Sequence, residues 1–172
     1  MLILDETTAQ APPEICFRIA ADVESWPSIL PHYRWVQFQR KEGFAQGRVE
    51  MAAWRDFLGP LKYPTWWLSE MRHDREKGHV YCQHVKGVTR GMEVRWEVVG
   101  LPDGTSHIRL FHEWDGPAWP AIGGLAAKLV ILPHFVSFIA QRTLAGVARA
   151  AEARAAGPRS AEAGDAGTGP GR

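Results

Sequence analysis

Apolar positions change their spacing twice along the chain, and those changes mark out the elements. The opening "LILDETTAQAPPE" reads as a short strand, a turn and a helix start, with Pro12 and Pro13 suited to the first helical turn and Glu14 to the positive end of its dipole. In "EICFRIAADV", Ile15, Phe17, Ile19 and Val23 fall toward one helical face. "SWPSILP" predicts a second, very short helix with Ser25 as its cap and Pro31 ending it. From residue 34 the period becomes two. Strands are predicted in "RWVQFQR", "GRVEMAAWR", "TWWLSEMRHD", "HVYCQHVK", "RGMEVRWEVVG" and "TSHIRLFHEWD", with "FLGPLKYP" a turn-rich interruption. After "GPAWP" the helical period returns over residues 121–156, with Pro133 as a kink or break.

This order predicts an α+β chain: one strand, two short helices, an antiparallel meander, then a long C-terminal helix. The sheet has about seven strands. A curved sheet wrapped on one helix often cannot fill its own interior, so a cavity is expected. Residues 1–156 are expected to form one domain. The Gly/Pro-rich residues 157–172 are expected to be a disordered tail.

Strand alternation assigns faces. Val49, Met51 and Ala53 point inward, and their parity carries Arg55 with them. Met92, Val94, Trp96 and Val98 form the next inward set, leaving Glu93, Arg95 and Glu97 outside. Ile108, Leu110, His112 and Trp114 follow, with Phe111 outside. Trp67, Ser69 and Met71 point inward at the expense of Leu68. Val80, Cys82 and His84, or the opposite set, face inward on the next strand, and the first choice is adopted. An arginine aimed into an apolar interior needs a partner, which an anionic or carbonyl-bearing ligand, Asp56 or Glu70 could supply. Alternatively Arg55 sits at the strand end and reaches water.

Composition adds one departure from the ordinary. The 172 residues are 45% hydrophobic and 23% charged, with net charge +1, so no basic face advertises nucleic acid. The excess is in tryptophan, with eight, and such rings both fill cores and line pockets. Cys16 and Cys82 lack any zinc-like or redox spacing and read as reduced and structural. No signal peptide is evident. The most apolar stretch, residues 125–140, contains Lys128, Pro133 and His134 and is shorter than the roughly 20 residues of a membrane span. A cytoplasmic location is expected, with peripheral membrane contact open. The histidines show neither HxxxH nor HExxH, "IGGLAAK" is not a phosphate loop, and no GxSxG elbow occurs, so neither a metal nor another cofactor is expected.

"APPEICFRIAADVESWPSILPHYRWVQF" resembles the START-like, helix-grip superfamily of polyketide cyclases/dehydrases and coenzyme Q-binding proteins, in Pro-Pro-Glu, Asp22, Trp26-Pro27, Pro31 and the strand beginning near Val36. The resemblance implies structural roles for Asp22, Trp26, Pro27 and Pro31, which would pin two short helices across the mouth of the sheet. It implies a hydrophobic ligand held between sheet and long helix. In its aromatase/cyclase members an arginine with polar and aromatic residues would close and dehydrate a poly-β-ketone. Trp67 and Ser69 look like the matching strand, but Met71 stands where that arginine is expected and Arg72 is out of phase.

The expected function is binding, as carrier or chaperone, of a small hydrophobic molecule, whether aromatic, quinone-like or lipid. Its expected site comprises Met51, Arg55, Trp67, Ser69, Met71, His84, Trp96, Leu110, His112 and Trp114. The alternative is an aromatase/cyclase in which Arg55 stabilises an enolate and His112 or His84 moves protons. A third reading has residues 125–140 docking on a membrane or partner. Oligomeric state is not readable from the sequence.

Overall fold

A computed structural model describes residues 1–57, 61–116 and 136–157, with the side chains of 55–57 and 61 outside that description. The elements run β1 (Leu2–Ala9), α1 (Pro13–Ala21), a 3-10 turn (Val23–Ser25), α2 (Trp26–Ile29) and β2 (Tyr33–Lys41). Then come β3 (Gly47–Phe57), β4 (Leu61–Asp74), β5 (His79–Gly87), β6 (Glu93–Gly100), β7 (Ser106–Glu113) and α3 (Ser137–Ala155). The strands form one curved, open antiparallel sheet in the order β1-β7-β6-β5-β4-β3-β2. This is the helix-grip arrangement expected from the order of the elements. The two expected features in residues 117–135 and 158–172, the start of the long helix with its Pro133 kink and the C-terminal tail, lie outside the described residues.

Local chemistry explains the helical corner. Pro12 caps α1 and Pro13 opens it, where a missing N–H is harmless. Cys16, Phe17, Ile19, Ala20 and Ala21 are buried, and α1 stops at Asp22, whose N–H donates to the Arg18 carbonyl at 2.9 Å. Ser25 precedes α2 as expected, yet its side chain does not cap that helix. Its Oγ donates instead to the Asp22 carbonyl at 2.7 Å, closing the turn from the α1 side.

The predicted interruption at "FLGPLKYP" is narrower than expected, since β3 reaches Phe57 and β4 begins at Leu61. β3 and β4 pair out to Phe57 opposite Leu61, so β4 runs through Pro64. Pro64 is tolerated for a definable reason. Its partner Trp54 sends its N–H to His32 on the other side, so Trp54 and Pro64 form a non-hydrogen-bonded pair. The pairing of β4 with β5 starts only at Trp67, which leaves the edge beyond Pro64 without a strand among the described residues.

Most of the positions assigned inward are buried, while the Arg55 side chain lies outside the described set. Val49, Met51, Ala53, Val94, Trp96, Val98, Ile108, Leu110 and Val80 are all buried. Two outward positions behave differently from expectation. Leu68 is buried rather than stranded in water, and Glu97 is nearly covered by its outer-face neighbours. A bulge between Leu68 and Ser69 shifts the register against β5. Beside it Gly87, at φ +95°, lies where a Cβ would come within 2.2 Å of the Trp66 carbonyl oxygen.

Helix α3 buries a stripe of mostly small residues, including Ala140, Thr143, Gly146, Val147 and Ala151. It lies mainly on β1 and α1. The stripe lets backbones approach: a Cβ on Gly146 would come within 2.1 Å of Leu30 Cδ2. Held toward one side of the sheet, the described helix leaves the concave faces of β3 to β6 largely uncovered by itself. That is where the hollow sits.

Candidate ligand cavity

Alternation along five strands aims a set of side chains into one space. β3 contributes Met51; β4 contributes Thr65 and Trp67; β5 contributes Cys82 and His84. β6 supplies Val94 and Trp96, and β7 supplies Leu110 and His112. The turn between β5 and β6 adds Val88, Thr89 and Met92. From the helical side come Trp26, Ile139, Ala140 and Thr143, with Val136 just before α3 and Tyr33 opening β2. The cavity has a volume of about 90 Å³, and about 670 Å³ of non-atom space lies between the walls when the region open to solvent is counted.

Aromatic rings make a continuous wall. Trp26 packs against Tyr33 with centroids 5.1 Å apart and against Trp96 at 5.7 Å, and Tyr33 meets Trp67 at 6.2 Å. Trp67 stacks on the His84 imidazole at 5.7 Å and 21°. The Trp26 indole N–H donates to the Ile19 carbonyl at 3.0 Å, so this ring faces the cavity as an apolar surface and ties it to α1.

Polar atoms are few and neutral. His84 Nδ1 shares a 2.6 Å hydrogen bond with Thr89 Oγ1, while its backbone is bracketed by Met92 and Gly91. His112 Nδ1 is buried without a partner. Burial holds both imidazoles neutral: His84 is pushed down to about 3, with nearby His112 adding to the effect, and His112 is pushed down to about 4. Burial also pushes the Cys82 thiol up to about 12 and raises the Tyr33 phenol, against a smaller opposing hydrogen-bond effect from Thr143. Thr143 Oγ1 lies 3.0 Å from Nε2 of His32. Among the described lining residues none carries a charge. Nor do three His, Cys, Asp or Glu side chains among the described residues gather as metal ligands would.

Of the residues picked out from sequence, Met51, Trp67, His84, Trp96, Leu110 and His112 meet around this space. Three others are buried but do not line it. Ser69 Oγ is enclosed without a partner, and Met71 lies in the core opposite Gly47 and Cys82. Trp114 donates its indole N–H to the Arg90 carbonyl at 3.0 Å, pinning the turn before β6. All three are buried, as their parity predicts, yet none lines the space, although Ser69 and Met71 stand opposite the lining residues His84 and Cys82. The Arg55 side chain falls outside the described set; its backbone pairs with Tyr63. Among the structural candidates, Trp26 walls the cavity directly, Pro27 is partly buried, and Asp22 and Pro31 are exposed. Asp22 contributes through its backbone rather than its carboxylate.

Sequence reasoning missed Tyr33, Thr65, Thr89 and Thr143. Thr65 was accessible, since it shares the parity of Trp67. Thr143 was too, three positions after Ala140 on a helical face. Tyr33 and Thr89 sit at a strand start and in a turn, where periodicity carries no signal.

The fold and hollow together define a START-like, helix-grip protein. The chain belongs to the polyketide cyclase/dehydrase and lipid transport family, whose model matches residues 9–139. No curated protein matches it in sequence. Solved structures similar to it include the Zhui aromatase/cyclase of a Streptomyces species, at 22% identity, covering 91% of this chain and 98% of that one with TM-score 0.74. A protein of Thermus thermophilus is similar at 21% identity, covering 90% of this chain and 99% of that one, TM-score 0.71. A START superfamily protein of Mycobacterium smegmatis matches at 15% identity, covering 90% and 97%, TM-score 0.63. At these identities the likeness is one of fold.

Proposed function

We propose that this chain binds a small, uncharged, ring-containing hydrophobic molecule in the cavity and acts as its carrier or chaperone. The observation that carries this reading is the wall itself: Trp26, Tyr33, Trp67 and Trp96 around a space whose described polar groups are all neutral. Neutral imidazoles and threonine hydroxyls suit the keto, phenol or quinone oxygens of such a guest, and nothing described in the lining would compensate a buried charge. Residues 1–156 form the binding domain in this reading, and the protein works in the cytoplasm.

A second reading is favoured by the family and by the similarity to aromatase/cyclases: aldol closure and dehydration of a polyketide-like chain. His112, with Nδ1 unpartnered, would take or give a proton, and Arg55 would stabilise the enolate.

Native mass spectrometry of protein taken from its host should show a co-purified neutral ligand, and Ala140→Phe, which fills the hollow, should lose it while staying folded. Protein that carries no ligand, and that fails to bind a neutral polyphenol or quinone added to it, would overturn the proposal. Turnover of a polyketide chain that drops with Arg55→Ala, binding retained, would select the second reading.

A further inference from the structure

A second surface lies one helix-thickness from the cavity and is unlike it in every respect. Along α3, Ile139, Ala140 and Thr143 face inward, whereas Arg142, Ala145 and Arg149 line an outer groove with Lys62, Trp54 and Pro31. Lys62, Arg142 and Arg149 are exposed, and no acidic side chain is among the described residues of this groove. The basic character continues past its rim. The Arg34 guanidinium is stacked 4.4 Å from the Trp54 ring and 4.7 Å from the Trp35 ring, and Trp35 is exposed. On the helix side the Arg142 guanidinium lies 4.4 Å from the ring of exposed Phe138. Counting Asp56, the register partner of Lys62, and Glu50, two positions along β3 from the Ala52 that pairs with Trp35, the four basic residues Arg34, Lys62, Arg142 and Arg149 still outnumber the acids.

A chain of net charge +1 thus carries exposed Lys62, Arg142 and Arg149, with Arg34 and exposed rings beside them, about one groove. Exposed Trp and Phe interleaved with Arg and Lys match the interfacial zone of an anionic bilayer, where rings sit at headgroup depth and cations meet phosphates. We propose that this face docks the protein peripherally on an anionic phospholipid surface. Charge complementarity selects the bilayer's sign, and exposed rings select a bilayer over a purely ionic partner. The His32–Thr143 hydrogen bond joins the two surfaces, because His32 lines the groove and Thr143 the cavity. Docking is independent of which guest the cavity holds, so it stands or falls apart from the proposed function.

Flotation of the full chain with phosphatidylcholine vesicles and with vesicles containing phosphatidylglycerol tests it. Binding is expected only to the second, weakened by salt, with Arg142→Glu/Arg149→Glu lowering the partition coefficient by about tenfold or more. Trp35→Ala should weaken binding further without altering the salt dependence. Circular dichroism checks that the variants fold, and a doubly conservative Arg142→Lys/Arg149→Lys variant should retain binding. Absence of binding to the anionic vesicles, equal binding to both compositions, or undiminished binding of the charge-reversed variant would overturn the proposal. So would displacement by inorganic phosphate at constant ionic strength, which would mark an ion pocket rather than a bilayer contact.

Discussion

Trp96 and Glu97 are neighbours on β6, yet they stand in opposite regimes. Across the outer face Glu97 accepts from Arg95 Nε at 3.1 Å and Arg109 Nη2 at 2.7 Å, with His79 4.0 Å away. Arg95 also lies over the Phe111 ring at 4.5 Å. Both arginines there pair with Glu97, although Arg109 Nε is buried without a partner of its own. Across the inner face, Trp96 borders a hollow in which His84 has one short bond and His112 Nδ1 has none. The contrast teaches where this chain leaves interactions unmade. Outside, charged groups pair with one another, though Arg109 Nε is left over; inside, the polar groups are neutral and His112 Nδ1 has no partner.

The comparison can be broken most severely at the wall. Trp96→Ala should cost about 3–5 kcal/mol in chemical denaturation, since it removes a buried ring and enlarges an existing void. A loss below about 1 kcal/mol would mean that the wall already collapses around the hollow.

Acid comes next. In the unfolded chain both cavity histidines take up protons near their ordinary 6.5, but folded they resist until about 4 and about 3. Between those limits the unfolded state binds more protons, so stability is full above about pH 6.5 and falls as pH is lowered through this interval. Denaturation midpoints at a series of pH values should show the decline, and His84→Gln with His112→Leu should flatten it. An equally steep decline in that double variant would place the acid sensitivity elsewhere.

The smallest effects sharpen the contrast between faces. Glu97→Ala should lose about 1 kcal/mol, because the arginines it leaves are partly solvated and recover much of their hydration. His112→Leu should be neutral or stabilising by up to about 1 kcal/mol, since it removes an unanswered buried nitrogen, while weakening the guest's affinity. Both are read by urea midpoints at pH 7. A destabilisation by His112→Leu that matches the Glu97 variant would mean the two faces do not differ in this way.

Much of this was legible from residues alone, and the reasons are specific. Period-two alternation in "MEVRWEV" and "HIRLFHEW" assigned inner and outer faces correctly, because a half-buried strand has only two sides to choose from. Trp-Pro at residues 26–27 marked the corner. The strand extending through Pro64 was not legible, since its tolerance depends on Trp54 turning its N–H toward His32 across another strand.

How far the hollow reaches was also hidden. Ser69, Met71 and Trp114 share parity with their lining neighbours, and nothing local separates Met71 from Trp67. The chain's pattern alone determined the order of elements, the two faces of the sheet and the supply of rings for a pocket, because these follow from backbone periods and near-neighbour chemistry. Only the tertiary structure decided which of those side chains meet, which imidazoles stay neutral and where cations gather. Those outcomes depend on register, on the bulge at Leu68, and on how closely Gly146 lets the last helix approach Leu30, distances set between residues far apart in sequence.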